Sequence, residues 1–232
     1  MDNFYEISQQ QQVAETRRFF IRVYAWMSMA LVITGLTALK VASSPDIIRF
    51  IFGSKVTFYA LIITELVLVV VLVGAIKKLS AVAATVIFIL YSILTGVTIS
   101  SIFFVFTMSS IASTFFITAG TFAGMSAFGY FTKSDLTKVG SILIMGLWGL
   151  IIASVVNLFF SNDTLYWITT YAGVLIFVGL TAYDTQKLKK LNVIGDEGSE
   201  EDKKTAIIGA LTLYLDFINL FLYLLRIFGK RR

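Results

Sequence analysis

The sequence has no cysteine and no histidine, and its one proline is Pro45. Without cysteine there is no disulfide and no thiol nucleophile, and without histidine there is no imidazole base for a serine or cysteine triad. The absence of both residues also excludes the usual zinc sites, whose ligands are Cys and His. No run of glycine or serine indicates a linker. Any chemistry therefore depends on carboxylates, hydroxyls, lysine or arginine.

Apolar residues dominate the composition. They make up 57% of the 232 residues, whereas a typical soluble domain has about 45–50%. A membrane-spanning helix needs roughly 20 mostly apolar residues. The pattern predicts an all-α integral membrane protein with seven transmembrane helices, at about residues 19–39, 56–76, 81–105, 111–131, 139–160, 165–187 and 205–228.

The polar segments outside these runs are short. Residues 1–18 are rich in glutamine and predict a short, poorly ordered cytoplasmic tail. Residues 188–204 carry charges of both signs, which is typical of a solvated connection rather than a binding tail. No hydrophilic block is long enough to fold separately, so residues 19–232 are predicted to form a single seven-helix transmembrane domain.

The last apolar run contains an acidic residue, Asp216, near its middle. A carboxylate at that depth costs several kcal/mol unless it is neutral, paired or hydrated. Steps of three and four residues from Asp216 define a continuous polar and small face, while Ile, Leu and Phe occupy the opposite face. This pattern predicts that the seventh helix lies at the centre of the bundle. The face consists of Gly209, Thr212, Asp216, Asn219, Tyr223 and Arg226.

Basic residues predict the orientation of the chain. The net charge of +5 is explained by Lys and Arg that flank membrane spans, so no nucleic-acid partner is expected. With the N-terminus in the cytoplasm, the inner segments hold twelve Lys and Arg and the outer segments hold seven. The C-terminal cluster Lys230-Arg231-Arg232 disagrees with this assignment, because seven crossings place it outside. Either the seventh helix is an exception to the rule, or it does not cross completely.

Small residues recur in several runs at the spacing that lets helix backbones approach closely in lipid. We interpret them as sites of packing within one chain, so a monomer is expected. They are Ser92, Gly96 and Ser100 in the third run, Gly120 and Gly124 in the fourth, and Gly149 and Ala153 in the fifth.

Three acidic residues lie inside apolar runs: Glu65, Asp184 and Asp216. The sixth and seventh helices are joined by one connection, so Asp184 and Asp216 are expected to be neighbours. Two carboxyl groups brought together at low dielectric tend to share one proton, which makes a pH switch. When ionised they form a site of hard oxygen ligands that suits Ca²⁺. The alternative is that each aspartate caps a helix or pairs separately with a nearby Lys or Tyr.

Other polar residues are candidates for supporting roles. Glu65, Thr212, Asn219 and Arg226 are candidates for lining an ion path, and the last three lie on the same helix face as Asp216. The alternative for Glu65 is an ion pair with a lysine. Lys77 and Lys78, at the inner end of the second helix, either hold a closed state through a breakable ion pair or simply mark the topology.

Several segments resemble the Bax inhibitor-1 (transmembrane Bax inhibitor motif) family, most closely its bacterial YccA/YbhL-like branch. The strongest are VGLTAYDTQKLK at 178–189 and GALTLYLDFINLFLYLLRIFG at 209–229. YSILTGVTISSIF at 91–103 and IASTFFITAGTFAGMSAFGYFTKSDL at 111–136 add support, and the resemblance covers essentially the whole chain.

The resemblance implies seven helices with the last at the centre, in the inner membrane of a bacterium. It also implies a pH-sensitive calcium leak, gated by an aspartate pair that corresponds to Asp184 and Asp216. Relatives have an arginine at the inner end of the second helix that latches the closed state. This sequence has Lys77 and Lys78 there, and lysine supplies the charge without the bidentate fork of arginine. Bacterial members are also linked to the membrane protease FtsH as modulators.

Three functions therefore compete. The first is a passive, pH-gated Ca²⁺ leak, and the second is a non-transporting regulator that binds FtsH. The third is an intramembrane aspartyl protease, which Tyr183-Asp184 matches superficially. However, Asp216 lies in LYLDFIN rather than in a Gly-x-Gly-Asp motif, and the Pro-Ala-Leu signature is absent. We therefore expect no enzymatic activity and no cofactor, with membrane lipid and Ca²⁺ as partners.

Overall fold

A computed structural model describes residues 2–191 and 197–232. In these residues the chain forms nine helices: α1 (Asp2–Ala42), α2 (Pro45–Phe52), α3 (Lys55–Gly74), α4 (Ala81–Ile99), α5 (Ile102–Val105), α6 (Met108–Phe131), α7 (Thr137–Phe160), α8 (Asp163–Leu191) and α9 (Glu200–Phe228).

Seven spans long and apolar enough to cross a membrane occur in the described part of the chain. Helices α1, α3, α6, α7, α8 and α9 each provide one of them, and α4 and α5 together provide the remaining one. The predicted all-α architecture with seven membrane helices is therefore confirmed. In α9, 67% of the hydrophobic window is buried inside the protein, compared with 6–39% in the other spans. The last helix is thus the most enclosed of the seven, as its polar face predicted.

The beginning of the chain differs from the prediction. Helix α1 starts at Asp2 and has 41 residues, so residues 2–18 of the segment expected to be a poorly ordered tail are instead helical. At 1.5 Å per residue α1 is about 60 Å long, roughly twice the hydrocarbon thickness of a bilayer. Helix α1 is therefore longer than a crossing perpendicular to the bilayer requires.

The third span is interrupted near its end. Helix α4 stops at Ile99, and the short helix α5 begins at Ile102. At the break, the hydroxyl of Ser100 donates to the carbonyl of Val97 at 2.7 Å, and that of Ser101 donates to the carbonyl of Thr98 at 3.3 Å. These serines offer the backbone local hydrogen bonds that compete with a continuous helix.

The fold divides into two compact units. One consists of Met1–Val105 and Leu191–Leu211, and the other consists of Phe106–Lys190 and Thr212–Arg232. Helix α9 contributes its first part to the first unit and the remainder to the second. The single domain predicted for residues 19–232 stays a prediction.

In the first unit, α1 and α4 pack through small residues. A Cβ atom on Gly96 would lie 2.6 Å from the carbonyl oxygen of Thr34. The hydroxyl of Thr34 donates to the carbonyl of Ser92 at 2.8 Å. The close approach predicted for this part of the third span is therefore confirmed. The same prediction of close approach was wrong at Gly120, Gly124 and Gly149, since an added Cβ at these positions has nothing within 4 Å.

The segment before α9 is bound to neighbouring helices. Arg18 and Arg22 of α1 each hold a carboxylate with two hydrogen bonds, Arg18 that of Glu197 and Arg22 that of Asp202. Glu200 accepts a hydrogen bond from the backbone N–H of Ala81 at 2.5 Å, at the start of α4. Residues 197, 198, 200 and 201 are exposed, as expected of a solvated connection, whereas Asp202 is buried in its ion pair with Arg22. Residues 192–196 of the same predicted connection lie outside the described part of the chain.

In the second unit, aromatic side chains surround the latter part of α9. The ring of Phe217 packs edge-on against Phe115 and Phe122 of α6, with centroid distances of 5.4 and 5.5 Å. On another side, Tyr223 stacks on Phe177 of α8 at 5.9 Å. These contacts leave the face that carries Asp216 directed towards α7 and α8.

The C-terminal residues are fixed beside the start of α6. The backbone N–H of Thr107 donates to the carbonyl of Lys230 at 3.0 Å, and the N–H of Lys230 donates to the hydroxyl of Ser110 at 3.0 Å. An isolated β-bridge also joins Phe106 and Arg231.

With 29 residues, α9 is about 43 Å long and therefore long enough to cross a bilayer completely.

Candidate functional site

The two intramembrane aspartates of the last two helices meet in the second unit. Asp184 lies seven residues before the end of α8, and Asp216 lies near the middle of α9. Their side chains interact directly, and both lie on the wall of one cavity. Two carboxyl groups brought close together at low dielectric tend to share one proton.

The environments of the two carboxyl groups differ. Asp216 is 4% exposed, and its Oδ2 atom has no hydrogen-bond partner among the described residues. Asp184 is half-buried, and the positive charge of Lys187 acts on it from the next turn of α8. A buried polar atom without a partner is costly, so Oδ2 of Asp216 is the atom of the pair that would gain most from water or a cation.

A cavity of about 730 Å³ adjoins the pair. Helices α7, α8 and α9 form its walls, which are mainly apolar. Along α9 the cavity extends from Thr212 to Arg226, which corresponds to about 21 Å along the helix axis. The predicted residues Thr212, Asn219 and Arg226 all lie on its wall together with both aspartates.

Arg226 provides the positive charge at the end of the cavity that lies away from the pair. It follows Asp216 by ten residues, which is about 15 Å along the helix. Its guanidinium lies 4.9 Å from the ring centroid of Tyr223 and 5.4 Å from that of Tyr166. These distances are typical of cation–π contacts, which hold the guanidinium at the cavity wall.

The contribution of α7 to the cavity was missed at the level of sequence. Ser154 and Asn157 of α7 line the same cavity. They are three residues apart and therefore lie on one side of the helix. Two polar residues at this spacing inside the fifth apolar run indicate a helix side turned away from lipid, but they do not reveal which helices share the cavity with it.

The remaining predicted residues belong to the other compact unit. Glu65 of α3 is half-buried and accepts a hydrogen bond from the hydroxyl of Thr98 on α4. Lys77 and Lys78 are exposed in the turn after α3, and neither forms an ion pair with any residue that the structure describes. The latch role of these lysines stays a prediction.

The described residues contain no cluster of three or more Asp, Glu, His or Cys side chains that could hold a metal ion. Calcium takes six to eight oxygen ligands in proteins. Asp184 and Asp216 together supply two carboxylates, which is fewer ligands than calcium takes.

Comparison with known proteins gives consistent matches over nearly the whole chain. A family described as "Inhibitor of apoptosis-promoting Bax1" matches residues 16–232. The chain is 50% identical over 220 residues to the inner membrane protein YbhL of Escherichia coli strain K12, covering 94% of each chain. It is 47% identical to an uncharacterised protein of Borreliella burgdorferi, covering 97% of each. An uncharacterised protein of Rickettsia prowazekii is 41% identical, with 93% of this chain and 91% of the relative covered.

Proposed function

Because the chain belongs to the family of inhibitors of apoptosis-promoting Bax1, we propose that it is a pH-sensitive calcium leak of the bacterial inner membrane. The observation that carries the proposal is the close pair of Asp184 and Asp216 beside a cavity bounded by three membrane helices. Ionisable residues inside a membrane bundle mark ion or proton pathways by default.

The proton shared by the pair is the switch. In the closed state one proton lies between the two carboxyl groups and holds α8 against α9. Loss of that proton leaves two negative charges, which at roughly 4 Å and an effective dielectric of about 20 repel by about 4 kcal/mol. A change of roughly 5.5 kcal/mol in the free-energy difference between two states moves their ratio from 1:99 to 99:1. Deprotonation is therefore sufficient to change the population of the conducting state substantially.

Calcium relieves the same repulsion. A cation that approaches through the cavity finds the partnerless Oδ2 of Asp216 and the second carboxylate of Asp184. Thr212 and Asn219 on the cavity wall offer further oxygen ligands of the kind that Ca²⁺ prefers. Arg226 is positively charged, so a cation entering from its end of the cavity is repelled before it reaches the pair.

The proposal predicts a specific response to neutral substitutions. Calcium flux into liposomes containing the purified protein should change across about pH 6–8, the range in which a buried carboxyl pair exchanges its shared proton. Asp184→Asn and Asp216→Asn should each flatten this dependence, because an amide cannot release a proton. The measurement is uptake reported by a calcium-sensitive dye at a series of pH values.

The control for that experiment is Asp135→Asn. Asp135 is an exposed carboxylate of the same unit, where it pairs with Lys190 at 2.9 Å. The hydrogen bonds from Lys190 and Thr137 lower its pKa to about 2, so it stays ionised throughout the range tested. Asp135→Asn should keep the native pH profile. If Asp184→Asn and Asp216→Asn also keep it, these carboxyl groups are not the switch.

Regulation of a membrane protease such as FtsH is the second candidate. The observation that favours it is the length of α1, whose 41 residues exceed what one crossing needs and so offer a surface to a partner. In this case the protein, added to the purified protease in one membrane, should alter the rate at which a membrane substrate is degraded. An unchanged rate would exclude this role.

A further inference from the structure

Close to Asp184 on α8, Gln186 forms hydrogen bonds with the connection between α6 and α7. Gln186 of α8 is only 7% exposed. Its side-chain oxygen accepts a hydrogen bond from the backbone N–H of Leu136 at 2.9 Å, and its side-chain nitrogen donates to the carbonyl of Ser134 at 2.8 Å. Both partners lie between α6 and α7. One buried amide thus satisfies two backbone groups of a connection that is 50 residues away in sequence.

The same side of α8 is held directly against α6. The hydroxyls of Thr185 and Ser126 are hydrogen-bonded at 2.9 Å. One turn earlier, a Cβ atom on Gly129 of α6 would lie 2.1 Å from the carbonyl oxygen of Ala182. The backbones of the two helices are therefore in contact, and no side chain larger than hydrogen fits between them. The side of α8 formed by Ala182, Thr185 and Gln186 cannot slide or rotate without breaking these contacts.

Helix geometry places Asp184 on the other side. At 3.6 residues per turn, positions two apart in sequence point in nearly opposite directions. Asp184 is two residues from both Ala182 and Gln186, so its side chain projects away from α6, towards α9 and the cavity. The charged groups that act on it there are Asp216 of α9 and Lys187 of α8.

From this arrangement we infer that Gln186 is a positioning residue for Asp184. It touches neither Asp216 nor the path of an ion. By fastening the opposite side of α8 to the connection between α6 and α7, it fixes the distance at which Asp184 faces Asp216. The inference rests on the proposed function, in which that distance determines when the shared proton is lost.

The test is the infrared carbonyl band of the protonated carboxyl pair, followed as a function of pH in the full-length protein in nanodiscs. Asp184→Asn and Asp216→Asn identify the band. In Gln186→Met the pH at which half of this band is lost should be lower than in the wild type, because a wider gap between the carboxylates weakens their repulsion. This pH is the midpoint of the titration. The shift should be about half a pH unit if the separation grows from roughly 4 to 5 Å at an effective dielectric of about 20.

Two further variants make the test decisive. Ser126→Ala removes a hydroxyl from the same contact with little change of shape, and should shift the midpoint in the same direction by a smaller amount. Lys190→Gln removes the exposed ion pair with Asp135 on the same connection and should leave the midpoint unchanged. If Gln186→Met does not fold, Ser126→Ala alone decides. Midpoints of Gln186→Met and Ser126→Ala equal to that of the wild type, or moved towards higher pH, would overturn the inference.

The same preparations separate this inference from the proposed function. If the midpoint moves as expected but the wild-type protein admits no calcium into liposomes, the positioning role stands and the calcium leak is wrong. If calcium flux depends on pH but the midpoint is the same in all three variants, the leak stands and the positioning role is wrong.

Discussion

At the scale of single residues, Asp216 is the clearest sign of function. It is almost completely buried, and one of its oxygens has no partner among the described residues. A buried polar atom of this kind costs free energy that a purely structural role would not require. Its interaction with Asp184 is favourable while the pair holds a proton and repulsive when both groups are ionised. The residue is therefore sensitive to any change that adds or removes that proton.

The arginines of α1 give a prediction about stability. Arg22→Gln should destabilise the protein by about 1–3 kcal/mol, because it leaves the carboxylate of Asp202, which is 8% exposed, without its charged partner. Arg18→Gln should leave the unfolding temperature almost unchanged, since Arg18 and Glu197 are both exposed and exposed ion pairs contribute little. Thermal unfolding of the purified variants in detergent measures both effects. Equal decreases of the unfolding temperature in Arg22→Gln and Arg18→Gln would contradict this interpretation.

At the scale of secondary-structure elements, α8 and α9 each use one side for packing and the other side to line the cavity. Helix α8 binds α6 with one side and presents Asp184 on the other. Helix α9 packs aromatic rings against α6, while its polar side lines the cavity. The rigid contacts thus lie on the sides that face away from the carboxyl pair. The same two helices therefore combine tight packing on one side with the carboxyl pair on the other.

Two glycines provide a matched comparison at this scale. Gly96→Ala should destabilise the protein by about 1–3 kcal/mol, because the new methyl group would lie 2.6 Å from the backbone oxygen of Thr34. Gly120→Ala meets nothing within 4 Å and should be neutral or slightly stabilising, since alanine favours helix by about 1 kcal/mol over glycine. Unfolding temperatures in detergent distinguish them. A loss of stability in Gly120→Ala as large as in Gly96→Ala would show that packing is not the cause.

At the scale of the whole molecule, α9 is the element that both compact units share. Its first residues are bound in the first unit, where Arg22 of α1 holds Asp202, and Asp216 lies further along the same helix in the second unit.

The orientation of the molecule in the membrane is a separate prediction. The distribution of Lys and Arg places the N-terminus in the cytoplasm, and seven spans then place Arg232 on the opposite side. Reporter domains fused before Met1 and after Arg232 should therefore report different compartments in bacterial cells. If both fusions report the same side, α9 does not cross completely, and the basic cluster at its end follows the usual rule.

The sequence was sufficient to predict those features that depend on local pattern. Seven apolar runs predicted the spans, and steps of three and four residues predicted the polar side of α9. Contacts between distant segments could not be read in the same way. The bonds from Gln186 to Ser134 and Leu136, and the place of Asn157 in the cavity wall, depend on how the helices pack. The helical start of α1 was missed because its polar residues show no apolar period.

The double variant Asp184→Asn/Asp216→Asn tests the central claim most directly. If the two carboxyl groups act as one unit that shares a proton, the effects of the single variants on pH-dependent calcium flux should not add. The double variant should then show the same flat pH profile in liposomes as either single variant. Retention of a partial pH dependence in each single variant, with a further loss in the double variant, would show two independent groups and contradict the account.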